Sequence, residues 1–466
     1  MPGTARPWPT VAARLAFAIL CSFGCLLASA CTRTPDSSPR AAPATVARPD
    51  ILLVTIDTLR ADHLGSYGYH LPTSPFIDRL AAGGVRFERA YSTSSWTVPA
   101  VVSMLTSTYP SRHGMGQRTV ASHGQWHVTP AGLPSLPEAL SAAGYRTYGF
   151  TANFGLPAER GFSRGFDRYR CIGAVDVEAI EDELERWLPD LQAGSPWFFW
   201  LHLFDAHAPY TGREPWLSTL YPETAASALE RGTISAAMVE PNERTAATVD
   251  RAQQFYDSEI RRLDHYLERL FERIPRSDDA LVLLTADHGE EFLDHGDVLH
   301  GRNLYNETLR IPFIVRFPDR RFAGRIVSKP VSLIDVLPTL LTVAGAPVPA
   351  EAAGADLVAT ILESRTPAPR SIFAELESGR RQRAVTDGRW KYVITDHQES
   401  APLLFDLDHD PGESNDLLGS RPELELSFRH LLAAYERARP TAPAELTETE
   451  ITSDQAEALR TLGYIQ

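Results

Sequence analysis

The sequence predicts an α/β fold with a central, mainly parallel sheet flanked by helices, and three observations carry that prediction. Short apolar runs of strand length alternate with longer segments of helical periodicity from residue 50 onward. Two of the runs, Ile51–Ile56 and Leu281–Ala286, stop at acids, Asp57 and Asp287, and His288 follows the second acid directly. Buried strands that deliver polar groups at their carboxyl ends place a site at one edge of an open α/β sheet. The third observation is the series Phe255, Ile260, Leu263, Leu267, Leu270 and Ile274, which keeps helical spacing and ends before Pro275. Further strands are expected at 146–151, Trp197–Phe204 and Pro312–Phe317, and a second amphipathic helix at 175–191. No internal repeat is evident.

Residues 1–31 read as an export signal rather than as part of the fold. Arg6 and Arg14 precede an apolar segment, Leu15 to Leu27, and Ala28, Ser29 and Ala30 lead to Cys31. That is the layout of a bacterial lipoprotein signal, with Cys31 as the lipidated residue and the cell envelope as the destination. Simple secretion is the alternative, because Ala28 stands where a larger aliphatic residue is usual. The apolar core is short for a membrane span. Thr32 to Pro49, rich in Pro, Ala, Ser and Arg, reads as a tether. Of the four cysteines, Cys21 and Cys25 fall in the signal and Cys31 at its cleavage site. Cys171 is left alone, so no intrachain disulfide is expected. The 466 residues, 43% hydrophobic and 22% charged, suffice for one large domain and a smaller one. A net charge of −14 disfavours a general nucleic-acid partner while leaving room for a local site for an anionic substrate. Nothing in the chain sets an oligomeric state.

A nucleophile is suggested by the stretch from Thr93 to Thr106. Pro99 suits the first turn of a helix, which puts Thr97 just before a helix amino terminus, where free N–H groups stabilise an alkoxide or a bound oxyanion. Alone, such a threonine is more often an ordinary cap.

Several ordered motifs then point to one family. They are Ile56–Asp62 with Gly65–Gly68, Thr97–Thr106 with Tyr109–Gly114, His202–Tyr210, and Thr285–Glu290 with His300–Gly301 and Leu304–Glu307. Ser332–Thr339, Asp387–Tyr392, Leu404–Leu407 and Asp410–Glu413 follow. From about residue 49 to its end the chain resembles the sulfatase family of the alkaline phosphatase superfamily. The resemblance implies a catalytic α/β domain, here 50–345, and a small α+β carboxyl-terminal domain with an antiparallel sheet, here 346–466. Departures from the family pattern are as informative. The Cys-x-Pro-x-Arg signature, whose Cys or Ser becomes formylglycine, is replaced by Thr97, Val98, Pro99, Ala100 and Val101. Threonine cannot become that aldehyde. Gly149–Asn153 stands in place of the family's Gly-Lys-Trp-His segment, and His300–Gly301 in place of a lysine. The pattern resembles the threonine-dependent branch of the superfamily, which acts on phosphate diesters.

The metal reading follows from the donors. Sulfatases use paired Asp residues and an Asp-Asn pair, an oxygen set that suits calcium; here Thr58 follows Asp57, and His288 adds a nitrogen. Asp57, Asp287, His288 and Thr97 therefore form a mixed N/O set that favours zinc or manganese over calcium. His207 and His300 are expected to face the site as proton donors or substrate ligands, or as ligands of a second ion together with Asp205. Asp205 and Arg112 are candidates for contacting the anion, Arg112 being equally suited to a helix-end cap. His202 and His295 read as structural, and His113 as a turn residue behind the nucleophile helix. The function expected is a metal-dependent hydrolase or transferase of phosphate mono- or diesters with Thr97 as nucleophile. A sulfuric ester hydrolase is the rival, and a non-catalytic binding protein on the same fold is the reading from another class.

Overall fold

The computed structural model describes residues 48–457, apart from 117–119, 122–124, 174–175, 194–195, 227–232, 235–243, 363–369, 379, 397–399, 439–445 and 454. Cys31 and nearly all of the expected tether lie outside the described residues.

Eight strands form the main sheet, in the spatial order Arg325–Val327, Val85–Phe87, Phe313–Arg316, Leu281–Ala286, Ile51–Ile56, Trp197–Leu203, Arg146–Thr151, Arg168–Cys171. Phe313–Arg316 alone runs against the others, so the sheet is mixed and mostly parallel, as expected. Ile51–Ile56 and Leu281–Ala286 lie side by side at its centre with every residue buried. Continuous apolar sequence, rather than alternation, is what a strand covered on both faces requires. Their register pairs Ile51 with Leu281 and Ile56 with Ala286. The next residues, Asp57 and Asp287, therefore leave the sheet together at the same edge. Trp197–Leu203 flanks the first strand on its other side, with Ile56 opposite Leu203.

The helix predicted at 255–274 extends from Ala246 to Arg273, its start capped by the Thr245 side chain accepting from the Thr248 N–H. Helix 175–191 proves to be two, Val177–Glu185 and Leu188–Gln192, because Pro189 lacks the N–H needed to continue the first. Three short strands were not expected, Arg168–Cys171 and Arg325–Val327 at the two edges and Val85–Phe87 next to the latter; each is only three or four residues long.

The carboxyl-terminal part carries the expected antiparallel sheet of four strands, Ile372–Ser378, Arg380–Thr386, Trp390–Thr395 and Leu403–Asp406. Helix Pro422–Arg437 packs Phe428 and Leu432 onto one face against Val385, Tyr392 and Leu404. Ile372, Ala374 and Phe405 on the opposite face meet Tyr91, Leu304 and Leu309. The described residues from Arg48 onward make one compact unit. Beyond residue 345, Ala346, Leu357 and Ile361 still belong to the main core. The chain also returns late, when Glu448–Glu450 pairs with Gln125–His127.

Candidate active site

Asp57, Asp287 and His288 converge at the carboxyl edge of the two central strands, all three fully buried. His288 Nδ1 lies 2.9 Å from the Gly289 carbonyl, to which it donates, and so its Nε2 carries the lone pair. That nitrogen stands 3.6 Å from Asp57 Oδ1 and 3.5 Å from Asp287 Oδ2. Both carboxylate oxygens are buried without a hydrogen-bond partner. The other oxygen of each acid is held: Asp287 Oδ1 accepts from the Thr58 and His288 backbone N–H groups at 3.3 and 2.9 Å. Asp57 Oδ2 accepts from Asn153 Nδ2 at 2.5 Å and faces His202 Nε2 at 3.4 Å. Unsatisfied buried carboxylate oxygens are costly unless a cation completes them. Edges of 3.5 and 3.6 Å are close to the ~3.3 Å expected between ligands of a tetrahedral ion with bonds of about 2.0 Å. The residues present thus fit a divalent cation.

Electrostatics agree with that fit. Burial pushes Asp287 up to about 7, and repulsion from Asp57 adds to the rise. Asp57 is also penalised by burial, yet the hydrogen bond from His202 and the charges of His207 and His288 hold it below the ordinary carboxylate range. Two acids this close cannot both ionise comfortably without a positive partner.

The turn that presents these groups is tightly built. Thr58 sits at φ 57°, unusual for a β-branched residue. It is kept there by its hydroxyl donating to the Ala206 carbonyl at 2.7 Å and its N–H donating to Asp287. After His288 the chain passes so close to Glu307 that a Cβ on Gly289 would lie 2.0 Å from the Glu307 carbonyl oxygen. Gly289→Ala should therefore displace His288 and destabilise the fold by about 1–3 kcal/mol, read out as a lower denaturation midpoint together with weaker metal retention.

Thr97 is the first residue of helix Thr97–Thr106, one position further in than the sequence reading placed it; Trp96 is the N-cap and no side chain caps that end. The Thr97 hydroxyl lies 3.2 Å from His288 Nε2, and the residue is 5% exposed. Its oxygen thus contacts one of the three donors, His288, instead of serving as a cap.

Beside this centre stands a second group of rings. His300 packs 4.5 Å from His288 and 5.0 Å from His207, with Trp96 5.2 Å away on another side. His300 Nδ1 is 2.8 Å from Glu290 Oε1, and Glu290 Oε2 accepts from the Tyr210 hydroxyl at 2.7 Å. Burial drives His300 down to about 4 and Glu290 up to about 7. Burial thus favours the protonated form of Glu290 and the neutral form of His300, whose Nδ1 it faces. His207 stacks on Phe204 with its Nδ1 2.5 Å from the Ala208 carbonyl.

Two expected substrate contacts are placed elsewhere. Asp205 faces helix Ala246–Arg273, where its Oδ1 takes Arg262 at 2.6 Å and the Val177 N–H at 3.1 Å. It is an ion-pair partner in a cluster with Glu259, and it supplies no second metal site; among the described residues Asp57, Asp287 and His288 are the one group arranged for an ion. Arg112 is exposed in the short helix Pro110–His113, beyond the far end of the nucleophile helix. A ten-residue helix is about 15 Å long, so Arg112 is not brought to Thr97. His202, His113 and His295 are each held by contacts within the protein. His202 Nδ1 accepts from the Thr55 hydroxyl at 2.7 Å, which directs its Nε2 toward Asp57. His113 bridges Ser103 and the Met115 N–H, and His295 stacks on Tyr305 and contacts Glu307. Sequence reasoning missed Asn153 and Glu290 as partners. Glu290 carried a signal, since it follows Asp287 by three residues and His288 by two; Asn153 becomes visible only when its strand end is seen beside Asp57.

The sulfatase family profile matches residues 49–346, more than half of the chain. The chain belongs to the sulfatase family. A second profile, the carboxyl-terminal region of N-sulphoglucosamine sulphohydrolase, matches residues 294–435. Arylsulfatase A of Homo sapiens is 28% identical over 477 residues, spanning 84% of this chain and 88% of that protein. The multifunctional alkaline phosphatase superfamily protein PehA of Trinickia caryophylli is 25% identical over 484 residues, spanning 80% and 91%. In fold, the phosphonate monoester hydrolase of Agrobacterium radiobacter superposes with a TM-score of 0.68 at 20% identity, covering 84% of this chain and 96% of that one. This member of the sulfatase family is thus a hydrolase on an alkaline phosphatase-like fold. Sulfatase-family proteins are metal-dependent, and the Asp57–Asp287–His288 group is one that could hold an ion in this chain.

Proposed function

We propose that this sulfatase-family hydrolase cleaves phosphate esters through Thr97, using an ion held by Asp57, Asp287, His288 and the Thr97 oxygen. The observation that carries the reading is the convergence of the Thr97 hydroxyl with two orphaned carboxylate oxygens and the free nitrogen of His288. One imidazole nitrogen among oxygen donors favours zinc or manganese over calcium. When bound, the ion lowers the pKa of the Thr97 hydroxyl and offsets the charge of the ester.

The residues supply the rest. Thr97 Oγ1, whose proton would pass to solvent when the ion binds, forms a bond to phosphorus as the bond to the ester oxygen breaks, and it is released as the same alkoxide in the second step. His300 gives its Nε2 proton to the departing oxygen while the Glu290 proton moves onto Nδ1, so the ring stays neutral throughout. Water, or an acceptor alcohol in a transferase, then attacks the phospho-threonine, and its proton returns along the same path to Glu290. Sulfate release by the formylglycine route is closed to a threonine, which is why phosphate is favoured despite relatives named for sulfatase activity. The nearby cation Arg60, which donates to the Glu290 carbonyl, is also engaged by Asp62 and Asp294.

A turnover panel of phosphate monoesters, diesters, phosphonates and aryl sulfates, each with added zinc, manganese or calcium, tests the assignment. Phosphate esters with zinc or manganese are expected to turn over fastest. Faster cleavage of aryl sulfates would restore the family's ordinary substrate class.

The chain's destination is a separate proposal, resting on residues 1–31: export to a bacterial cell envelope with a lipid on Cys31. Cys31→Ala should leave an unprocessed precursor or release soluble protein, read by fractionation and blotting. Continued membrane attachment of a processed Cys31→Ala chain contradicts the anchor.

A further inference from the structure

We infer that this chain has a second ligand site, for a sugar-sized molecule bearing a phosphate or sulfate group, in a cleft away from Thr97. The cleft lies between the Gly65–Gly68 turn, the end of strand Val85–Phe87 and the Leu407–Pro411 loop that follows the carboxyl-terminal sheet. It encloses about 550 Å³ with a predominantly polar lining, a size suited to a small organic ligand. None of Asp57, Thr97, Asp287, His288 and His300 lines it. Strand Val85–Phe87 stands three strands from Ile51–Ile56, about 14 Å at the usual strand spacing.

Three guanidinium groups meet there. Arg89 is neutralised by Asp408 at 2.6 Å. Arg86 lies over the Tyr67 ring at 5.0 Å, and its carboxylate partner, Glu88, is 3.7 Å away and already accepts from Ser328 at 2.5 Å. Arg310 donates to the Glu88 carbonyl at 3.2 Å and makes no carboxylate pair among the described residues. Three cations against two acids leave a net positive, half-buried cleft on a chain whose net charge is −14. Arginine forks of this kind match the oxygens of phosphate and sulfate in a bidentate manner. Pinning of Arg86 by the ring and of Arg310 by a backbone oxygen presets them, so little side-chain freedom is lost on binding.

Calorimetric titration of the metal-loaded protein with glucose 6-phosphate, glucose 6-sulfate and inorganic phosphate tests the inference. The Thr97→Ala background keeps the esters intact. A binding event is expected that Arg86→Gln with Arg310→Gln weakens at least tenfold, that Arg310→Lys partly retains, and that the sugar esters make tighter than the free ion. In the Thr97-intact protein, the paired Gln variant should keep its turnover and its inhibition by phosphate, since neither arginine touches the catalytic group. Binding that is unchanged in the paired variant overturns the site. So does loss of phosphate inhibition together with binding, which would place the anion at Thr97. Equal affinity for free phosphate and for the sugar esters would reduce the ligand to an inorganic ion and remove the sugar-sized part of the claim.

Discussion

Thr97→Ala should lower turnover of the best ester substrate by on the order of 10³–10⁶-fold, the range seen when covalent enzymes lose a nucleophile. The side chain is nearly buried, caps nothing, and makes one hydrogen-bonding contact, with His288 Nε2 at 3.2 Å. Alanine is a good helix former, so folding should be spared and the loss should fall on kcat. Circular dichroism and denaturation midpoints near those of the native protein, beside collapsed activity, are the expected combination. Thr97→Ser should keep measurable turnover because the attacking oxygen survives. Thr97→Cys should gain no strong sulfatase activity, since Val101 stands where the formylglycine signature carries arginine. Full activity in Thr97→Ala would leave the residue as the ordinary first position of a helix, and the covalent intermediate would have to be abandoned.

The second large effect concerns Asp287, and it changes sign with the metal. In the metal-free protein, Asp287 Oδ2 and Asp57 Oδ1 are buried without partners, and burial with mutual repulsion raises Asp287 to about 7. Asparagine at 287 can still accept from Thr58 and His288 through its oxygen. Its amide can also donate toward Asp57, which removes an unsatisfied buried charge. Asp287→Asn should therefore stabilise the metal-free chain, by about 1–3 kcal/mol if one orphaned group is satisfied. The same change removes an anionic ligand, so the tightly held ion, about one per chain in native protein by elemental analysis, should be lost. With it goes the stabilisation that binding contributes, about 2.7 kcal/mol at a metal concentration one hundred times Kd. Melting curves in chelator and in excess zinc should cross: the variant melts above native protein in the first and below it in the second. A variant that melts lower in both would mean that the Asp57–Asp287 pair is supported by the protein alone and that the cation reading is wrong. Retention of calcium alone in active native protein would overturn the preference for zinc or manganese.

What the sequence determined is the material that local chemistry encodes. Ile51–Ile56 and Leu281–Ala286 are apolar throughout and end on acids, so their burial and the emergence of Asp57, Asp287 and His288 at one edge follow from composition and the parallel rule. Helix Ala246–Arg273 follows from spacing and from the proline after Ile274, and Thr97 from Pro99 and the surrounding motif. Only the tertiary structure decided the roles that depend on a partner far away in the chain. Asp205 and His207 share a turn, yet Arg262 draws the carboxylate to the long helix while His207 packs beside His300. Arg112 is distant because a rigid helix separates it from Thr97. Asn153, 96 residues from Asp57, reaches it because strand Arg146–Thr151 ends next to Trp197–Leu203. The short strands Val85–Phe87, Arg168–Cys171 and Arg325–Val327 exist through pairing with neighbours. Three or four residues hold too little periodic pattern to announce a strand, whereas inter-strand hydrogen bonds supply what their own sequence lacks.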